Sequence, residues 1–154
     1  MGMDIYGLAP QLKSKAPTID WASNPSEEER KTYFDAKDIF EKENVGHYFR
    51  NNVWWWRPLW EYVCDVNHDI LTDEDRERGH FNDGHEITEE QCEVICKRLT
   101  EALDNGEAEE YKNSYDAYVK SLDKDDSLGH YPFNLDNVKE FRNFVRESGG
   151  FQIC

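Results

Sequence analysis

A chain of 154 residues with 38% hydrophobic, 14% aromatic and 33% charged positions carries enough apolar material for one packed domain, residues 1–154, without a disulfide scaffold. Its 33 acidic residues against 18 Lys and Arg leave a net charge of −15, which repels phosphate backbones and anionic membrane surfaces and excludes direct nucleic-acid binding over most of the surface. The longest apolar run falls far short of the ~20 residues that span a bilayer.

Met1-Gly2-Met3-Asp4 is not the basic-then-apolar start of an export signal, and Tyr6 stands where a myristoylation signal needs Ser or Thr. A soluble cytoplasmic protein is therefore expected, with Cys64, Cys92, Cys96 and Cys154 as thiols.

Met3 to Tyr6 reads as a short strand. The segment through Asn24 reads as loop, with Trp21 anchoring it to the body. Asn24 followed by Pro25 suggests an N-cap and a first-turn proline, and Glu27, Glu28 and Glu29 suit the positive end of the helix that follows. That helix would bury Tyr33, Ala36 and Phe40 and end near Asn44, with Gly46 in a left-handed conformation. Pro58 suggests the first turn of a second helix, presenting Leu59, Val63 and Val66 and ending near Asn67.

Thr72 with Asp75 forms a capping box for a short helix that Gly79 would close. Thr88 with Gln91 forms another, opening a helix with Cys92, Ile95, Cys96, Leu99 and Leu103 on one face. Asn105-Gly106 ends it, Tyr111, Tyr115, Tyr118 and Leu122 mark the next helical stripe, and Asp123 to Gly129 reads as a charged loop. Asn134 caps a last helix with Leu135, Val138, Phe141, Phe144 and Val145, broken by Gly149-Gly150. Phe151 to Cys154 could pair as a strand with Met3 to Tyr6. The expected fold class is mainly α (α+β), a compact single domain of about five or six helices with a small sheet joining the N- and C-terminal segments.

The window from Asn44 to Trp60 holds no acidic residue, where the average of the chain would place roughly four. It holds Arg50, Arg57 and four of the five Trp residues. Successive side chains diverge by about 100° on a helix or about 180° on a strand, so Trp54, Trp55 and Trp56 cannot all be buried on one face. The block is either the centre of the core or the wall of a pocket. In a pocket, an indole would stack on a flat ring, Arg50 or Arg57 would hold a phosphate or carboxylate, and Asn51 or Asn52 would read polar edges.

The second polar constellation is Gly79-His80-Phe81-Asn82-Asp83-Gly84-His85-Glu86, between two capped helices. His80, Asp83, His85 and Glu86 could cap turns, contact a ligand or bind a metal, but the spacing matches no metal signature and no metal ligand is assigned. Four of the five His residues follow a Gly, at His47, His80, His85 and His130. Helix termination by Gly46 and Gly79 accounts for two of them. Asp65-x-Asn67-x-Asp69 opens like a calcium loop but has Ile70 where Gly is required and Arg76 where a bidentate Glu is required. Cys92 and Cys96 share an apolar helix face and read as core. No phosphate loop, nucleophile elbow or CxxC pair is present, and no cofactor is implied.

The segments MDIYG, GHYFRNNVWWWRPLWEYV, GHFNDGH and YPFNLDNVKEFRNFVRESGGFQIC together resemble a family of small bacteriophage and bacterial proteins that has no established activity. The resemblance covers roughly half the chain and implies a phage context, not a chemistry. The leading expectation from the residues is a protein that binds a flat, anionic, nucleotide-like small molecule and counteracts a host defence signal in the host cytoplasm. Its site would be Arg50, Asn52, Trp54, Trp55, Trp56 and Arg57, facing His80, Asn82, Asp83 and His85. One alternative is a metal-assisted or acid–base hydrolase with His85 or Glu86 as base. Another is an acidic inhibitor or nucleic-acid mimic acting on a host protein. A homo-oligomer stays open. The deciding geometry is whether Arg57 and His85 face one cavity.

Overall fold

The computed structural model describes residues 1–154, apart from the side chain of Leu128. The elements in chain order are strand β1 (Gly2–Gly7), helix α1 (Glu27–Glu43), strand β2 (Tyr48–Asn52), helices α2 (Val53–Val66) and α3 (Asp73–Arg78), strand β3 (His85–Ile87), helices α4 (Glu89–Asp104), α5 (Glu107–Ser121) and α6 (Leu135–Ser148), and strand β4 (Phe151–Ile153). Short 3-10 turns lie at Trp21–Ser23 and Ser127–His130. The protein is an α+β single domain, with six helices around a small antiparallel sheet. No helix of the described residues is long and apolar enough to cross a membrane.

The strand order is β2-β1-β4-β3, all antiparallel. The two ends of the chain pair as expected, with Ile5 opposite Ile153 and Gly7 opposite Phe151. The sequence had not marked the two outer strands. Their strand state comes from pairing with β1 and β4, since Tyr48–Asn52 and His85–Ile87 lack a local period long enough to read. Alternation along the strands sends Met3, Ile5, Phe49, Ile87, Phe151 and Ile153 inward, and leaves Tyr6, Arg50 and Glu86 on the opposite, exposed face.

The largest fully buried side chains are rings, Trp56, Trp60, Phe141, Phe144 and Phe151, packed among aliphatic residues. Trp56 and Trp60, one helical turn apart on α2, stack at 5.5 Å with their planes 11° apart. Phe141 meets Trp56 edge-on at 5.7 Å, and Phe151 meets Trp60 at 6.3 Å. Both buried indoles donate their N–H to α3 and its C-cap: Trp56 to the Gly79 carbonyl at 2.7 Å and Trp60 to the Arg76 carbonyl at 3.1 Å. Full burial of an indole is thus reconciled with its polar handle.

Several expectations require correction. Helix α1 is opened by Ser26, whose hydroxyl accepts from the Glu29 N–H while the Glu29 carboxylate accepts from the Ser26 N–H. Asn24 instead adopts a left-handed backbone before the helix. The reciprocal box satisfies two donors that Asn24 could not reach. Of the three α1 residues expected to be buried, only Phe40 is; Tyr33 and Ala36 are half-buried. Trp21 is 52% exposed and packs on Tyr33 and Phe34 of α1 rather than on the body.

Helix α2 starts at Val53, not Pro58, because Asn52 caps it by accepting the Trp55 N–H at 3.0 Å. Pro58 lies inside the helix, beyond its first turn, and has no N–H to donate to the Trp54 carbonyl. Gly46 is not left-handed, and Gly79 closes α3 as expected, as its C-cap with φ −61. They are glycines because a Cβ would lie 2.2 Å from the Glu147 carbonyl oxygen and 2.0 Å from Trp60 Nε1 respectively. The caps at Thr72, Thr88 and Asn134 are as expected, and Gly149 and Gly150, both at positive φ, turn the chain from α6 into β4. The segment read as a loop at Asp123 to Gly129 ends in the second 3-10 turn.

Candidate functional site

The concave surface nearest the tryptophan block is a cleft of about 300 Å³ between α2 and α5. Arg57, Pro58 and Glu61 form one wall, Tyr111 and Tyr115 the other, and Ser127 and Tyr131 close it. Spacings of four on each helix bring these pairs to the same face.

Arg57 donates from Nη1 to the Tyr131 hydroxyl at 2.7 Å, and its guanidinium lies 5.5 Å from the centre of that ring. Trp54 also packs on Tyr131, with ring centres 4.9 Å apart, and His130 lies 6.3 Å from the same indole. Tyr115 donates its hydroxyl to the Tyr131 carbonyl, which fixes the closing segment against α5. Burial, followed by the nearby acidic charges, pushes the Tyr111 phenol up to about 12. Burial also raises Tyr115. Both therefore remain neutral hydroxyls near pH 7.

Glu61 is neutralised within the fold. Its Oε1 accepts from His80 Nε2 at 2.7 Å and its Oε2 is paired with Arg76, which also donates to Asp65 at 2.7 Å. His80 Nδ1 is buried without a hydrogen-bond partner among the described residues. Arg57, in contrast, has no ion pair among the described residues and is the only cation lining the cleft.

Of the expected site residues, Arg57 lines the cleft, while Trp54, 45% exposed, packs on Tyr131 and His80 hydrogen-bonds Glu61 without lining it. Trp55 is half-buried and Trp56 belongs to the core, so the three consecutive indoles divide between surface and interior as helical geometry requires. Arg50 lies on the exposed sheet face, 3.6 Å from Asp4. Asn52 is the α2 cap, and the Asn51 amide is engaged with Asn137 of α6.

The remaining loop residues do not enter the cleft. Asn82 donates to the Gly2 carbonyl at 3.2 Å. Asp83 accepts from Arg78 at 3.1 Å and from the His85 N–H at 3.2 Å, and the Arg78 guanidinium holds its carboxyl below the usual range. His85 is buried, with Nε2 2.7 Å from Asp75, while Glu86 points to the opposite face of β3. Arg57 and His85 thus face different surroundings.

Burial alone would raise the Asp75 carboxyl. Hydrogen bonds from the Thr72 N–H, the His85 ring and the Thr72 hydroxyl outweigh it and hold Asp75 below its ordinary value. Among the described residues no three His, Cys, Asp or Glu side chains are placed to hold a metal ion. Cys64, Cys92, Cys96 and Cys154 are free thiols, and burial pushes Cys92 up to about 12.

Sequence reasoning missed Tyr111, Tyr115, Ser127, Tyr131 and Glu61 as cleft residues. The tyrosine spacing on α5 was visible as a helical stripe, but nothing local indicated that it would face Arg57. Comparison of the chain with family models, with curated proteins and with solved structures finds no match.

Proposed function

We propose that the protein binds a flat, anionic small molecule in the cleft between α2 and α5. The observation that carries this reading is Arg57, the cleft's only cation, oriented by Tyr131 and left without a carboxylate partner among the described residues. A guanidinium held in this way offers its remaining N–H groups to a phosphate or carboxylate, while the tyrosines supply ring faces and Tyr111 and Tyr131 supply O–H donors, that of Tyr115 being engaged by the Tyr131 carbonyl. At about 300 Å³ the cleft is at the small end of ligand sites. It suits one ring system carrying one anionic group, such as the base and phosphate of a mononucleotide, better than a dinucleotide.

The resemblance to small phage and bacterial proteins supports sequestration of a host nucleotide signal as the biological setting, in the host cytoplasm. Hydrolysis by His85 or Glu86 gains no support from the geometry, because the two side chains lie on opposite faces of β3 and His85 is engaged by Asp75.

Equilibrium binding to a panel of mononucleotides and aromatic carboxylates, read by tryptophan fluorescence, tests the reading. Arg57→Ala should weaken binding by about tenfold or more, as expected for loss of a charge-assisted contact, with little change in stability. A panel without a binder, or a binder indifferent to Arg57→Ala, would sink it.

A further inference from the structure

Helix α1 is the element the core uses least: Phe40 is its one buried residue. It is tied to the body at its C-terminal end, where the Asn44 side chain accepts from the Lys13 N–H at 2.6 Å and donates to the Ser14 hydroxyl at 2.8 Å. The rest of the helix keeps its large side chains at the surface. Trp21, Tyr33 and Phe34 form a ring cluster with centroids 5.3 to 6.2 Å apart, in which Trp21 is 52% and Phe34 50% exposed. Rings clustered at the surface, with no further ring partner among the described residues, mark a surface for contact with something else.

Beside this cluster lies a groove of about 560 Å³, bounded by the extended Pro17–Asp20 segment and the Glu28–Ala36 face of α1. Its charged lining residues are Asp20, Glu28 and Glu29, with no Lys or Arg among them. Asp20 and Glu29 each accept a single backbone N–H, from Ala22 and Ser26, and Glu28 has no hydrogen bond or ion pair among the described residues. From Glu28 to Ala36 the groove runs about 12 Å along the helix, the span of about four extended residues. That length suits a peptide segment rather than a single small cation.

We propose that this groove docks a Lys- or Arg-rich, partly apolar segment of a partner protein. Its cations face Asp20, Glu28 and the exposed rings of Trp21 and Phe34, and its apolar side chains rest on Ile19, Tyr33 and Ala36. The occupant follows from charge complementarity. A groove lined by carboxylates, on a chain of net charge −15, steers a basic partner in and repels an acidic one. The exposed ring faces then add cation–π attraction at the contact. The surface is separate from the Arg57 cleft, so the two proposals stand or fall independently.

Fluorescence anisotropy with the full chain and a labelled short peptide alternating Arg and Leu tests the docking surface, with Glu replacing Arg in a control peptide. The Arg peptide should bind, weaken steeply as salt rises, and bind at least about tenfold less tightly to Trp21→Ala and to Glu28→Lys. Asp123→Lys, the same charge change outside the groove, should have little effect. Phe34→Ala gives a second ring variant if circular dichroism shows that Trp21→Ala loosens α1. No binding, loss of equal size from Glu28→Lys and Asp123→Lys, or indifference to both ring variants would overturn the proposal. So would sedimentation of the protein alone as a dimer that Trp21→Ala dissociates, since the groove would then belong to a second copy of this chain.

Discussion

Helices α1 and α2 are similar in length, 17 and 14 residues, and opposite in what holds them. Seven residues of α2 are buried, among them Trp56, Leu59, Trp60 and Val63, and its two stacked indoles also fasten α3. Helix α1 buries Phe40 alone and depends on local devices. These are the Ser26–Glu29 box, three acidic residues in its first turn, and ion pairs between Lys31 and Asp35 at 2.8 Å and between Lys37 and Glu41 at 3.7 Å. An isolated helix of this length is marginal in water, and exposed i,i+4 pairs each add only about 0.3–0.5 kcal/mol. The contrast teaches that α2 reports on the whole fold while α1 can open by itself. It also places the two proposed binding surfaces on elements of different stability.

The contrast should break most visibly at Trp60, which is fully buried. Trp60→Ala removes the stack on Trp56 and the bond to the Arg76 carbonyl, and should cost about 3–5 kcal/mol in urea unfolding. A cost below 1 kcal/mol would mean that α2 is not the centre of the cooperative unit.

The next effect is pH-dependent. Asp75 is held below its ordinary value in the folded protein, so its contribution to stability is fully present above the unfolded carboxylate range and lost as pH falls through the folded value. Stability of the native protein should therefore drop below about pH 4. Asp75→Asn should cost about 1–3 kcal/mol near neutrality, through weakened hydrogen bonds to His85 and Thr72, and should flatten the acid branch. An acid branch of unchanged steepness would show that the coupling of α3 to β3 does not run through this pair.

The smallest effect sharpens the other side of the contrast. Ser26→Ala should destabilise α1 by about 1 kcal/mol. Hydrogen exchange should quicken across α1, while the midpoint of global unfolding barely moves. A global shift as large as the local one would show that α1 is part of the core unit after all.

Much of this arrangement was legible in residues that act locally. The boxes at Thr72 and Thr88, the cap at Asn134 and the Gly149-Gly150 break were readable because a cap is made within three or four positions of itself. The Ser26 box was equally local, but the neighbouring Asn24-Pro25 pair mimicked a helix start. Asn52 was hidden in the same way behind Pro58. In the candidate site, Arg57 and Trp54 stood out as members of an acid-free aromatic block. Tyr131 did not, because its role depends on the 3-10 turn that brings it against α2.

The sequence by itself determined the helices with clear caps and stripes and the pairing of the terminal strands. These follow from periodicity and local hydrogen bonding. Only the tertiary structure decided that Tyr48–Asn52 and His85–Ile87 are strands, and that Gly46 and Gly79 must be glycines because other atoms approach so closely. It likewise decided that Arg57 meets Tyr131 in a cleft shared with Tyr111 and Tyr115, while His85 turns to Asp75. Each of those outcomes rests on a partner many positions away, and strand pairing, steric approach and burial of a hydrogen-bonded pair have no counterpart in the local order of residues.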